Sequence, residues 1–143
     1  MIESILRYGL ELWGSACTTE LEKVKNLQVR ALKNVMGYKS RSQFILNAFR
    51  DLNVLDIFGL YKQKILVNNF DNADLRVKVV HKHDTRQQVD GYYYIPKSHN
   101  KYGDSTSKVI VPKLFNLIPK DFVEMTKNAF KRKIKKWLLE NIT

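Results

Sequence analysis

The sequence predicts a mainly α protein: helical hairpins, a C-terminal basic amphipathic helix, and a small β or extended insert between them. Three observations carry this. Apolar residues recur at helical spacing as far as Phe70; short β-branched and aromatic runs replace that period between Leu75 and Val111; and from Lys113 onward apolar and basic residues again separate onto two faces. The divisions fall at residues 1–70, 71–112 and 113–143, which together form one module.

Residues Ile2 to Trp13 repeat with helical period, placing Ile2, Ile5, Leu6, Leu10 and Trp13 on one face and Glu3, Arg7 and Glu11 opposite at i,i+4 spacing. Gly14 is the expected stop. Entry from Met1 straight into such a helix, without a cap or leader, suggests a chain cut from something longer. Thr19-Glu20-Leu21-Glu22 has the spacing of a capping box, in which threonine oxygen and glutamate satisfy each other's backbone amides. It predicts a second helix reaching about Met36, with Leu21, Val24, Leu27, Ala31, Leu32 and Val35 buried. Lys23, Lys25, Arg30 and Lys33 lie outside that stripe, and Gly37 closes the helix.

Phe44, Ile45, Ala48, Phe49 and Leu52 predict a third, short helix. Asp56 is placed to cap a fourth that runs to about Asn69, with Ile57, Tyr61 and Ile65 on one face. The turn formers from Asn68 to Asp74 end this regime. Beyond them, Val77–Val80, Tyr92–Ile95 and Val109–Val111 read as two or three short strands or extended segments, and Lys97–Lys108 reads as a mobile loop.

Lys113–Leu139 joins a short apolar element to the basic helix, with Pro119 as the break and Thr126 as the N-cap. Phe130, Ile134, Trp137 and Leu138 share one arc and should dock onto the preceding helices, Trp137 being a principal anchor. Lys131, Arg132, Lys133, Lys135 and Lys136 fill the rest of the circumference. That face is the main candidate for binding nucleic acid, with Lys131, Arg132, Lys135 and Lys136 foremost and Lys23, Arg30 and Arg86 as lesser contributors.

Twenty-five Lys and Arg against fourteen Asp and Glu leave a net charge of +11, which favours polyanionic partners. A basic face kept only for solubility is the alternative. A basic amphipathic helix also suits a membrane surface or a partner helix, but no stretch reaches the roughly 20 apolar residues of a membrane span. The lone Cys17 forbids an intrachain disulfide and suits a reducing compartment. Together with the lack of a signal-peptide pattern, this predicts an intracellular protein, without choosing between nucleus and cytoplasm.

No enzyme signature occurs: GxxxxGK[ST], GxGxxG, GxSxG and HExxH are all absent, and no cofactor is implied. His81, His83 and Asp84 stand together, but three or four convergent ligands are needed to hold a metal, so none is assigned. Cys17 offers a nucleophile only by the chance presence of histidines. Tyr92, Tyr93 and Tyr94, near Arg86, Lys97 and Lys101, suit base stacking; alternate tyrosines equally suit packing a strand on helices.

The order of several motifs adds a family reading. Tyr8-Gly9-Leu10-Glu11-Leu12-Trp13-Gly14, Leu27-Gln28-x-x-Ala31-Leu32 and His83-Asp84-Thr85-Arg86 come first. Lys113-Leu114-Phe115-Asn116-Leu117-Ile118-Pro119 and Phe130-Lys131-x-x-Ile134-Lys135-x-Trp137-Leu138 follow. In that order, across nearly the whole chain, they resemble the C-terminal segment of a non-LTR retrotransposon reverse transcriptase polyprotein of the jockey and CR1-like type. The resemblance implies an accessory region beyond the palm and thumb of an RNA-directed DNA polymerase, with the rest of that polyprotein and RNA or DNA as partners. The family's catalytic aspartates and endonuclease belong upstream, and no Tyr-x-Asp-Asp-like tetrapeptide occurs here, so no enzymatic role is expected. The alternative is a structural or protein-interaction remnant of a truncated element that binds no nucleic acid.

Overall fold

The computed structural model describes residues 2–37, 44–80, 86 and 90–141. The protein is mainly α, and among the described residues the only β pairing is a single antiparallel bridge. Two compact units form, Met1–Lys64 with Lys131–Thr143, and Ile65–Phe130.

In the first unit the predicted helix from Ile2 to Trp13 is broken. Helix α1 spans Ile2–Arg7 and α2 spans Leu10–Trp13, with Gly9 between them at φ 62. Only glycine enters that left-handed region without steric cost, and its presence redirects the chain. The Leu12 amide bonds to Gly9 O, and the Trp13 indole donates to the Tyr8 carbonyl at 3.0 Å. The Glu3–Arg7 pair forms as expected, but Ile5 is exposed along with Tyr8 and Leu12. Gly14 does more than stop a helix: a Cβ there would lie 2.3 Å from Tyr61 Cδ2.

Helix α3, Thr18–Met36, starts two residues earlier than the capping box requires, with Cys17 rather than Thr19 at the N-cap. Thr19 is therefore inside the first turn, where its hydroxyl donates to Cys17 Sγ at 3.2 Å, and no side-chain cap bond is made by Cys17 at the N-cap. Gly37 closes the helix in the left-handed conformation, as its position predicts. The buried stripe differs from the apolar one. Leu27 and Val35 are 61% and 72% exposed, while Leu21 and the polar Gln28, seven residues apart, are buried.

Gln28 is buried because it completes another helix. Helix α4 is Phe44–Asp51 and α5 is Ile57–Asn68. The first amides of α5 have no partner within the helix. Gln28 Oε1 accepts from Ile57 N–H at 2.8 Å and its Nε2 donates to Leu55 O at 3.3 Å. Asp56 Oδ1 accepts from Gly59 N–H at 2.8 Å, the predicted cap, and its Oδ2 lies 3.0 Å from Lys25 Nζ. Phe49, Leu55, Ile57 and Leu60 fill the interior around this junction.

In the second unit Phe70, Phe115 and Phe130 form the aromatic centre, with ring centroids 4.5 Å apart for Phe70–Phe130 and 6.2 Å for Phe115–Phe130. The Arg76 guanidinium lies 5.0 Å from the Phe115 centroid and donates to Phe70 O at 2.7 Å. A 3-10 turn at Ala73–Leu75 precedes a short ribbon in which Val79 N–H bonds to Tyr92 O and Tyr94 N–H to Val77 O.

Two expectations fail beyond the ribbon. Val109–Val111 is not a strand but part of helix α7, Ser107–Leu117, and the loop before it contains the single-turn helix α6, Lys101–Asp104. Val111 and Phe115 are buried at i and i+4, so their burial on one helix face overrides β-branched preference. Pro112 is accommodated inside α7, and Pro119 follows the helix as predicted.

Candidate nucleic-acid interface

Helix α8, Lys127–Glu140, carries the basic face. The Thr126 carbonyl accepts from Phe130 N–H at 2.8 Å, which agrees with Thr126 as the residue before the first turn. Ile134 is wholly buried in the first unit, with Leu138 and Leu139 beside it, while Phe130 belongs to the aromatic centre of the second. Trp137 is only half-buried, so the anchor assigned to it falls to Ile134 and Leu138, with Leu139 in addition.

Two polar contacts hold this helix in its unit. Gln63 Nε2 faces Lys131 O at 3.4 Å, and Arg50 bonds the last carbonyls, Nε to Leu139 O at 2.9 Å and Nη2 to Glu140 O at 3.0 Å. The C-terminal end of a helix carries partial negative charge, which a guanidinium complements. The anchored side being apolar, the cations point the other way. Lys131, Arg132, Lys133 and Lys136 are exposed, and Lys135 is half-buried. Among the described residues no carboxylate pairs with Lys131, Arg132, Lys135 or Lys136.

The lesser candidates divide. Lys23 is exposed on α3 but lies 2.7 Å from Glu20, and Arg30 is exposed on the same helix. Arg86 is exposed and belongs to the second unit, apart in the chain from the α8 cluster. His81, His83 and Asp84 lie outside the described residues, and so do the Tyr38–Ser42 loop and most of the His83–Arg86 motif.

No protein-family model, curated protein or solved structure matches this chain. The site's character therefore rests on its own geometry: a row of cations on a helix whose other face is buried, with Lys131, Arg132, Lys135 and Lys136 unpaired by any carboxylate among the described residues. Sequence reasoning missed Arg50, whose role depends on a contact 89 residues away, and Gln28, which a hydropathy pattern places on the wrong face. Among the described residues, no helix is long and apolar enough to cross a membrane.

Proposed function

We propose that this chain is a non-catalytic accessory region of a non-LTR retrotransposon reverse transcriptase, one that holds template RNA or target DNA by its phosphate backbone without base specificity. The observation that carries the binding role is the exposed Lys131, Arg132 and Lys136 with the half-buried Lys135 on α8, none of them paired with a carboxylate among the described residues. The order of motifs along the chain supplies the family part of the reading, and the net charge of +11 supports a polyanionic partner.

Fluorescence anisotropy against single-stranded RNA, single-stranded DNA and duplex DNA over a range of salt tests this. Neutralising about four phosphates gives a log–log salt slope of about −3.6 on duplex and about −2.8 on single strands. The Lys131/Arg132/Lys135/Lys136→Glu variant should lose that binding while keeping the wild-type circular dichroism. No binding by the wild type near physiological salt would favour a structural or protein-interaction role instead.

A further inference from the structure

The second unit contains a cleft of about 790 Å³, within the size range of ligand sites. Val79, Tyr92, Tyr94 and Ile95 of the ribbon form one wall; Lys113 and Leu117 of α7 form the other. Successive residues of an extended strand face opposite sides. Tyr93 accordingly packs its ring edge-on to Phe115 at 6.2 Å, while Tyr92 and Tyr94 turn outward.

Asn116 fixes the ribbon against α7. Its Oδ1 accepts from Tyr93 N–H at 2.8 Å and its Nδ2 donates to Tyr93 O at 2.9 Å, imitating a neighbouring strand. An amide offers two donors and two lone pairs, so one of each is left on a group that lines the cleft. The two outward tyrosines are not equivalent. Lys120 Nζ sits 5.1 Å from the Tyr92 ring centroid and covers it, whereas Tyr94 is 54% exposed. Lys113 pairs with Asp104 only at 3.6 Å, with both side chains about half exposed, so its charge remains accessible to another anion.

The geometry points to a site for one unpaired nucleobase of a single-stranded nucleic acid, stacked on Tyr94, with the flanking phosphates near Lys113 and Lys120. An exposed ring, one lysine in the facing wall and another over the neighbouring Tyr92, and a spare amide edge match a base bearing phosphates, and a paired base in a duplex has no exposed face to offer. This deepens the proposed function and rests on its nucleic-acid reading, but it uses different residues and adds a preference for single strands that α8 alone does not confer.

The test uses the full chain and a short oligonucleotide with one central 2-aminopurine, whose fluorescence falls on stacking. The wild type should quench it, Tyr94→Phe should preserve the quenching, and Tyr94→Ala should abolish it and weaken single-strand affinity by about tenfold while duplex affinity stays unchanged. The Lys131/Arg132/Lys135/Lys136→Glu variant, raised to saturating concentration, should still quench. Binding without quenching, or equal binding by wild type and Tyr94→Ala, overturns the cleft and leaves the α8 reading standing. Quenching that survives in the Glu variant, without salt-steep duplex binding by the wild type, overturns the α8 reading and leaves the cleft. An absence of binding to any strand overturns both.

Discussion

Arg50 reaches 89 residues along the chain to donate from Nε to the Leu139 carbonyl at 2.9 Å, and its Nη2 binds the next carbonyl, Glu140, at 3.0 Å. One side chain on α4 thereby holds the end of the helix that carries the basic face. The same charge that complements the helix terminus also fixes where the lysines stand.

Arg50→Ala should therefore cost about 1 kcal/mol, since charge-assisted bonds to half-exposed carbonyls are worth less than buried ones. Arg50→Lys should recover only part, because an ammonium does not reproduce the guanidinium fork. Urea melts check the stability, and amide exchange at the end of α8 checks the fraying. Equal melts for wild type and Arg50→Ala would show that the cap is dispensable.

Ile134→Ala should cost about 2–5 kcal/mol, as expected for a wholly buried aliphatic side chain, and Trp137→Ala distinctly less. A helical wheel ranks these two the other way because tryptophan is larger. Burial decides the order, and chemical denaturation of the two variants reads it directly; Trp137→Ala as the more damaging change would place the anchor back on tryptophan.

Gln28→Ala should cost about 1–3 kcal/mol by leaving the Ile57 amide and the Leu55 carbonyl buried without their partner. Gln28→Leu, despite its greater hydrophobicity, should not rescue it. A leucine variant as stable as wild type would mean that water enters to take over both bonds.

Burial pushes the Tyr61 phenol above its ordinary value of about 10, and the charge of Glu11 adds to the shift. Folding thus favours the neutral phenol, a contribution present below about pH 10 and lost as pH climbs through the higher folded value. Tyr61→Phe should lose stability less steeply than wild type above pH 10. Parallel stability–pH curves for the two proteins would contradict the raised value.

Arg132→Ala should lower the salt slope of binding by about 1, one phosphate contact's worth, whereas Lys23→Ala should change it less because Glu20 already pairs with Lys23 at 2.7 Å. Salt titrations of both variants beside wild type decide it. An equal effect at both positions would mean that the Glu20 pair dissolves on binding.

What the sequence by itself determined is local. Period and composition identify the helices, Gly37 stops α3, Asp56 caps α5, and the separation of Ile134 and Leu138 from Arg132 and Lys136 lies in the repeat of the last helix. These depend on residues a few positions apart, whose geometry the backbone dictates. Tertiary structure alone decided that Val109–Val111 is helical, that Gln28 is inside while Leu27 and Val35 are outside, and that Leu139 is buried more deeply than Trp137. Two of those outcomes have distant partners: an orphan amide at Ile57 for Gln28, and the Phe130 ring stacked on Phe115 for the helix that holds the valines. A contact between distant residues leaves no period in the sequence, so hydropathy finds the helices and only packing chooses which of their faces is inside.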